Sequence, residues 1–338
     1  MLVTQHALFR RFWYPVMPLD RLVTEPQRFV LLGQPLVLWL NADGNPQALA
    51  DRCCHRTAQL SLGQVIDGCI QCPYHGWQFA GSGECVKVPQ LTREMIPRTY
   101  QVPSFRCQAR YGYAWVCLSE QDPLFPIPDI PEAGDPSYRQ IHEFYEMWDC
   151  AGLRVMENEF DLAHPTFVHT TTFGSTDHPL PSLMDVKETE LGLKLVAQLG
   201  VVNPPEQQTN LKMASAETTR TVEQEWFVPF TAVIRIHYPN GMTHIIVNCQ
   251  TPISDNQSQT VQFCLRNDSE ADAPAAGVIA FDRKVTLEDK AILESTGFDV
   301  PLEMQQEEHM ATDKPGILMR RRFAALLKAD REAASQQM

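Results

Sequence analysis

Apolar residues follow different rhythms in different parts of the chain. From residue 12 to about 50 they come in short runs rich in β-formers, such as 28–32 and 35–40, broken by polar stretches like Asn41-Ala42-Asp43-Gly44. Runs of that length predict strands, and Asp-Gly between two of them predicts a hairpin. A closing strand is expected over 111–118, with its aromatic residues in the core. Residues 122–136 contain Pro123, Pro126, Pro128, Pro131 and Pro136, which predicts an extended linker. Beyond it, 142–151 predicts a strand. The runs 191–199, 219–227, 231–238, 243–251 and 259–265 then predict an antiparallel sheet of five or more strands, with Pro239-Asn240-Gly241 turning one hairpin. Residues 203–208 predict a flexible segment, a lid or a pocket wall. Helical spacing marks 275–294, and 313–328 reads as a closing amphipathic helix. The pattern is α+β, with a β-domain over 1–121, the linker over 122–136 and a second domain over 137–338.

Residues 157–169, Glu-Asn-Glu-Phe-Asp-Leu-Ala-His-Pro-Thr-Phe-Val-His, carry more than packing. Asn158, Asp161 and His164 stand at i, i+3 and i+6, along one stripe of a helix. His169, five residues after His164, would point well off that stripe in an unbroken helix. Pro165 removes a backbone donor and disfavours helical backbone at His164, so a kink is expected where it can bring the two imidazoles together. Two histidines and one carboxylate with open positions are the facial triad of oxygen-activating iron(II) sites, and the carboxylate often comes from elsewhere in the chain. The plain alternative is one surface histidine and one buried structural one. The loop over 175–181 is expected near the metal, where His178 could touch substrate or simply be solvated. His142 reads as surface, and His237 and His244, flanking a hairpin, read as structural.

Composition narrows the partners. The chain has 338 residues, 44% hydrophobic and 20% charged, ordinary for a globular enzyme. Its net charge of −13 argues against nucleic acid and anionic membranes. Arg320, Arg321 and Arg322 read as a turn of a solvated helix, or as a dock for an acidic electron carrier. The first 17 residues have no apolar signal core and no stretch predicts a membrane span, so a cytoplasmic protein is expected. In that reducing compartment, clustered cysteines among the ten present read as metal ligands.

Cys53-Cys54-His55 and Cys72-Pro73-Tyr74-His75 form such a cluster. Two thiolates and two imidazoles suit tetrahedral zinc; they equally suit a Rieske [2Fe-2S] centre, with cysteines on one iron and histidines on the other. The surroundings decide. His55-Arg56-Thr57-Ala58-Gln59-Leu60-Ser61-Leu62-Gly63 and Cys72-Pro73-Tyr74-His75-Gly76-Trp77-Gln78-Phe79, followed by Gly81-Ser82-Gly83-Glu84-Cys85 and Val88-Pro89, resemble the Rieske domains of ring-hydroxylating and demethylating oxygenases. The resemblance makes Cys53, His55, Cys72 and His75 the ligands. Cys54, where the family usually has proline, is expected to be a buried bystander. The extra cysteine pair of respiratory Rieske proteins is missing from both loops. Cys69, Cys85, Cys107, Cys117, Cys150, Cys249 and Cys264 read as small buried hydrophobes. Gly81-x-Gly83 reads as a turn over the cluster rather than a nucleotide loop. With no flavin or nicotinamide motif, electrons are expected from a ferredoxin or an NAD(P)H-dependent reductase.

With both sites read, nearly the whole chain resembles the α subunit of Rieske non-haem iron oxygenases, particularly the smaller monooxygenases that include O- and N-demethylases. The resemblance implies an antiparallel-sheet catalytic domain wrapped on a long helix and a head-to-tail homotrimer. It places the third iron ligand at Asp289, in Glu288-Asp289-Lys290, with Asp282 and Glu288 as fallbacks; the plain reading of such an acid is a solvated helix face. It gives Asp161 the bridge between a cluster histidine, His75, and an iron histidine, His164, and puts Asn158 near the iron. The implied cofactors are one Rieske [2Fe-2S] cluster and one mononuclear Fe(II). The implied activity is insertion of oxygen from O₂ into a C–H bond of a small organic substrate, as hydroxylation or demethylation. Two other readings stand beside it: an electron carrier without a second iron, and an oxygenase of a large pigment-like product.

Overall fold

The computed structural model describes residues 1–91, 95–177 and 179–336. The chain separates into one unit over Phe9–Ile127 and another that joins Met1–Leu8 to Pro128–Met338. The division falls inside the proline-rich segment. The first residues belong with the second unit, where the backbone N–H and the hydroxyl of Thr4 both donate to the Asp255 carboxylate.

The Phe9–Ile127 unit holds β1 (Tyr14–Pro18), β2 (Gln27–Leu31), β3 (Gln34–Leu40), β4 (Pro46–Ala50), β5 (Gln64–Ile66), β6 (Cys69–Gln71), β7 (Gln78–Phe79), β8 (Cys85–Lys87), β9 (Ser104–Arg110) and β10 (Tyr113–Cys117). They form a six-stranded sheet, β1-β10-β9-β4-β3-β2, and a four-stranded one, β5-β6-β7-β8. Three hairpins turn through Leu32-Gly33, Asp67-Gly68 and Tyr111-Gly112, with positive φ at both residues of each. That is the type I′ geometry whose twist matches two-residue hairpins, and the glycine makes the second left-handed position easy. Val37, Trp39, Leu60, Ile70, Trp77 and Phe79 share one buried core. The Trp39 indole donates to the Gly68 carbonyl at 2.9 Å, tying β3 to the β5–β6 turn.

In the second unit β11 (Arg139–Trp148) leads into α1 (Gly152–Glu159) and α2 (Pro165–Val168). Next come β12 (Leu183–Glu188), β13 (Gly192–Val202), α3 (Pro205–Leu211), β14 (Glu217–Phe227), β15 (Thr231–His237), β16 (Thr243–Pro252) and β17 (Ser258–Arg266). The helices α4 (Ala275–Leu293) and α5 (Lys314–Gln336) complete it. The seven strands make one antiparallel sheet, β11-β17-β16-β15-β14-β13-β12. Helix α1 packs on β15 and β16, and α4 packs along β11. A Cβ at Gly152 would meet the Phe230 ring at 3.2 Å and Gln250 at 3.3 Å, so glycine lets α1 lie this close to the sheet.

Four expectations change. The helix through Asn158, Asp161 and His164 ends at Glu159, because the Asp161 carboxylate accepts the Ala163 N–H at 2.8 Å, a local turn that competes with helix. Pro165 then opens α2 instead of kinking a longer helix, since its missing N–H costs nothing at a first helical position. Residues 203–208 run into helix α3 rather than a flexible segment, with Pro205 again in its first turn. Arg320 is not solvated: it is 3% exposed and paired with Glu157 and Glu307.

Candidate metal centres

Residues 53–58 and 72–77 are twin loops. Cys53 N–H donates to the Ala58 carbonyl and Thr57 N–H to the Cys53 carbonyl; Cys72 N–H donates to Trp77 and Gly76 N–H to Cys72 in the same pattern. Each loop has a left-handed residue four positions after its cysteine, Thr57 at φ 59° and Gly76 at φ 74°. The backbone alone thus sets both loops in one shape. Cys53 and Cys72 are buried, and the His55 and His75 rings lie 4.7 Å apart, with His55 stacked on Trp77 at 4.6 Å. Burial, with Cys72 beside it, pushes the Cys53 thiol up to about 12 against a backbone hydrogen bond from His55.

This donor set fits a two-iron cluster. The buried Nδ1 of His55 has no partner within the protein, as a ligand atom would not. Separate cysteine and histidine pairs are what two irons require. Cys54 is exposed rather than a buried bystander, because the turn that buries Cys53 points its neighbour outward. Of the remaining cysteines, Cys85, Cys117, Cys150, Cys249 and Cys264 are buried, whereas Cys69 and Cys107 are only partly so.

The second donor set crosses elements. Nε2 of His164 and Nε2 of His169 face each other at 3.2 Å, and Asp289 Oδ1 lies 3.4 Å and 3.3 Å from them. Two imidazole nitrogens and a carboxylate at such distances need a proton or a cation among them, and bonds of about 2.0–2.2 Å to one divalent ion close the same triangle. The Asp289 oxygen is buried and has no hydrogen-bond donor. Burial opposes charge on His164, yet Asp161 and Asp289 outweigh it and raise this imidazole to about 9, so the site attracts positive charge.

Glu288 does not compete for the centre. It sits behind His169, whose Nδ1 donates to it at 2.9 Å, while the Thr171 and Thr172 hydroxyls donate to the same carboxylate. That bond fixes the tautomer leaving Nε2 free to bind a metal. Asp161 Oδ2 is 3.6 Å from His164 Nδ1, an ionic contact on the corresponding side of the other histidine.

A cavity of about 130 Å³ opens at these donors. Asn158, Glu159 and Asp161 line it from the α1 segment, Asp282, Val285, Thr286 and Asp289 from one stripe of α4, and Gln207 from α3. Alternate residues of the sheet close it: Arg220, Val222 and Gln224 on β14, Ile234 and Ile236 on β15, His244 and Ile246 on β16. Asp282, the other fallback, belongs to a different group, 3.2 Å from His244 and close to Glu143 and Cys264. Sequence reasoning therefore missed His244 and Arg220 as pocket residues; strand alternation on β14 and β16 was the available signal. His178 lies outside the described residues.

Residues 12–106 match the family described as Rieske [2Fe-2S] domain, and residues 148–329 match the vanillate O-demethylase oxygenase C-terminal domain. The chain is 28% identical to the methylxanthine N1-demethylase NdmA of Pseudomonas putida, across 98% of this chain and 92% of that one. The solved structure of Pseudomonas putida CBB5 NdmA with caffeine has a TM-score of 0.83 at 28% identity, covering 96% of this chain and 93% of that one. Dicamba monooxygenase bound to dicamba shares the fold, with a TM-score of 0.80 at 22% identity over 97% of this chain and 99% of that one. No helix among the described residues is long and apolar enough to cross a membrane. The electron-carrier and pigment readings are not favoured, since full-length likeness runs to demethylases. The chain belongs to the Rieske non-haem iron oxygenases, as the oxygenase component: an oxidoreductase that works with one [2Fe-2S] cluster and one mononuclear iron.

Proposed function

We propose that the chain inserts one oxygen atom from O₂ into a C–H bond of a small organic substrate held in the cavity at His164, His169 and Asp289, while the other, with a pair of electrons from the redox partner and a pair of protons, leaves as water. Where that carbon is a methyl on oxygen or nitrogen, the hydroxylated product collapses to formaldehyde and the demethylated molecule; elsewhere a stable alcohol remains. The observation that carries this reading is the convergence of the three donor atoms in the wall of a partly apolar cavity. NdmA, similar over nearly the full chain, is named as a demethylase, which supports demethylation as one outcome.

In this reading Cys53 and Cys72 hold one iron of the cluster, His55 and His75 the other, and His164, His169 and Asp289 the mononuclear iron. When bound, the cluster supplies single electrons and the mononuclear iron activates O₂. Glu288 holds the His169 tautomer, and Asn158 contributes a polar group to the cavity wall. Asp161 orients His164 and relays electrons from a cluster carried by a neighbouring copy in a head-to-tail homotrimer. A ferredoxin or an NAD(P)H-dependent reductase supplies those electrons. The ten free cysteines suit a reducing compartment, the cytoplasm.

The test is iron and acid-labile sulfide on anaerobically purified protein, expected at about three irons to two sulfides. A ratio of about two to two that survives reconstitution with ferrous iron overturns the reading.

A further inference from the structure

We infer that Arg220 anchors an acidic group of the substrate, which makes that substrate an organic anion: a carboxylate or sulfonate on a compact apolar body. This rests on the oxygenase reading of the same cavity and adds the class of molecule that enters it.

Arg220 projects from β14 into the cavity beside Val222 and Gln224 and is 7% exposed. Its contacts are weak for a buried cation. The guanidinium lies 4.4 Å over the Phe173 ring, one Nη donates to the Tyr238 hydroxyl at a long 3.4 Å, and the buried Nε has no partner. Among the described residues no carboxylate is within ion-pair reach of it. The other two buried arginines differ: Arg266 is paired with Asp268, and Arg320 with Glu157 and Glu307. A guanidinium taken out of water without a counter-charge is costly, and the usual resolution is a partner of opposite sign. Four acids line the cavity: Asp289 lies between the two histidines, Asp161 faces His164, Asp282 faces His244, and Glu159, like the others, forms no ion pair with Arg220. The missing charge is therefore the ligand's.

The position suits an anchor. Phe173 stacks on the His169 ring at 4.8 Å, so the cation and an iron-holding histidine are separated by one aromatic ring. A carboxylate or sulfonate met by the fork of Arg220 in a bidentate pair leaves the apolar body against Val222, Ile234 and Ile236. The rest of the molecule then extends towards the triad. A neutral molecule of the same shape fills the cavity and leaves the guanidinium bare.

The experiment titrates anaerobic, iron-loaded holoenzyme with benzoate against benzamide and benzenesulfonate against benzenesulfonamide, by calorimetry. It is repeated with Arg220→Met and Arg220→Lys, and the melting temperature of each ligand-free protein is recorded. At least one acid is expected to bind tenfold or more tightly than its amide. Arg220→Met should abolish that preference, and Arg220→Lys should keep part of it. Ligand-free Arg220→Met should melt at or above the wild-type temperature, because it removes an unpaired buried charge. Acids that bind no better than their amides overturn the assignment, as does a preference that survives Arg220→Met. An Arg220→Met protein that melts several degrees lower makes the arginine structural and also overturns it. Iron-to-sulfide ratios on the same samples keep the readings apart: about three to two with no anion preference removes only the anchor, whereas about two to two removes the oxygenase reading itself.

Discussion

The four donors proposed for the cluster sit on two adjacent loops, while His164, His169 and Asp289, proposed for the mononuclear iron, come from segments more than a hundred residues apart. The loops of Cys53 and Cys72 are closed by their own backbone hydrogen bonds in one repeated pattern. The proposed iron donors meet only because α4 docks where α1 ends, and each histidine is backed by a separate carboxylate. One site is local and the other tertiary. A local site tolerates changes elsewhere in the fold, whereas a tertiary one can be emptied from a distance.

The sharpest way to break that contrast is Asp289→Ala. It should empty the mononuclear site, lower turnover by roughly a thousandfold, and leave the visible spectrum of the cluster unchanged. Metal analysis beside absorption spectra reads both sites at once. A bleached cluster would show that they are not independent, and retained iron would move the third ligand elsewhere.

Asp161→Asn asks a finer question, since the amide oxygen can still accept the Ala163 N–H and keep the turn. Both metals should remain and turnover should fall by roughly a hundredfold. Single-turnover electron transfer at the wild-type rate would remove the relay role. Next in size comes Glu288→Gln, which keeps a hydrogen-bond acceptor behind His169 but loses its charge. Iron affinity should drop by roughly 10–100-fold, seen as faster loss of one iron to a chelator, with sulfide content unchanged.

The same contrast explains what could be read from the sequence. Cys53, His55, Cys72 and His75 are dense in one short stretch, and backbone turns hold them, so motif and proposed site coincide. His164 and His169 were legible from their spacing and Pro165, although the break came earlier, because Asp161 turns the chain before a helix can reach it. Asp289 depended on resemblance, since an acid on a helix carries no local sign of what its far side meets. Glu288, a fallback ligand by resemblance, is hydrogen-bonded behind His169 instead of facing the other donors, a distinction only tertiary distance makes. Strand β12 went unread because it is largely exposed at an edge, where alternation fades. His244 and Arg220 were passed over for a related reason: strand alternation shows which residues share a face, not that the face lines a cavity.

The smallest expected effect concerns what holds α1 in place. Glu157, just before Asn158, accepts from Arg154 and Arg320, and both arginines also donate to Glu307. Hydrogen bonds from Arg154 hold the Glu307 carboxyl at about 2, below its usual 4.5, against some loss from burial and with help from Arg320. A carboxyl depressed in the folded state stabilises it fully above its unfolded value and loses that contribution as pH falls through the folded one. The window is therefore about 4.5 down to about 2. Because Glu307 is about a third exposed, solvent screening limits the effect to about 1 kcal/mol. Calorimetry of wild type and Glu307→Gln should show that gap near neutral pH and see it close as pH falls towards the lower end of the window. The cluster spectrum of the variant should match wild type at neutral pH, since the network ties α1 to α5 and includes no residue of the Cys53 and Cys72 loops. A constant gap across the window would mean that Glu307 acts through packing, and α1 would then be held by shape rather than by charge.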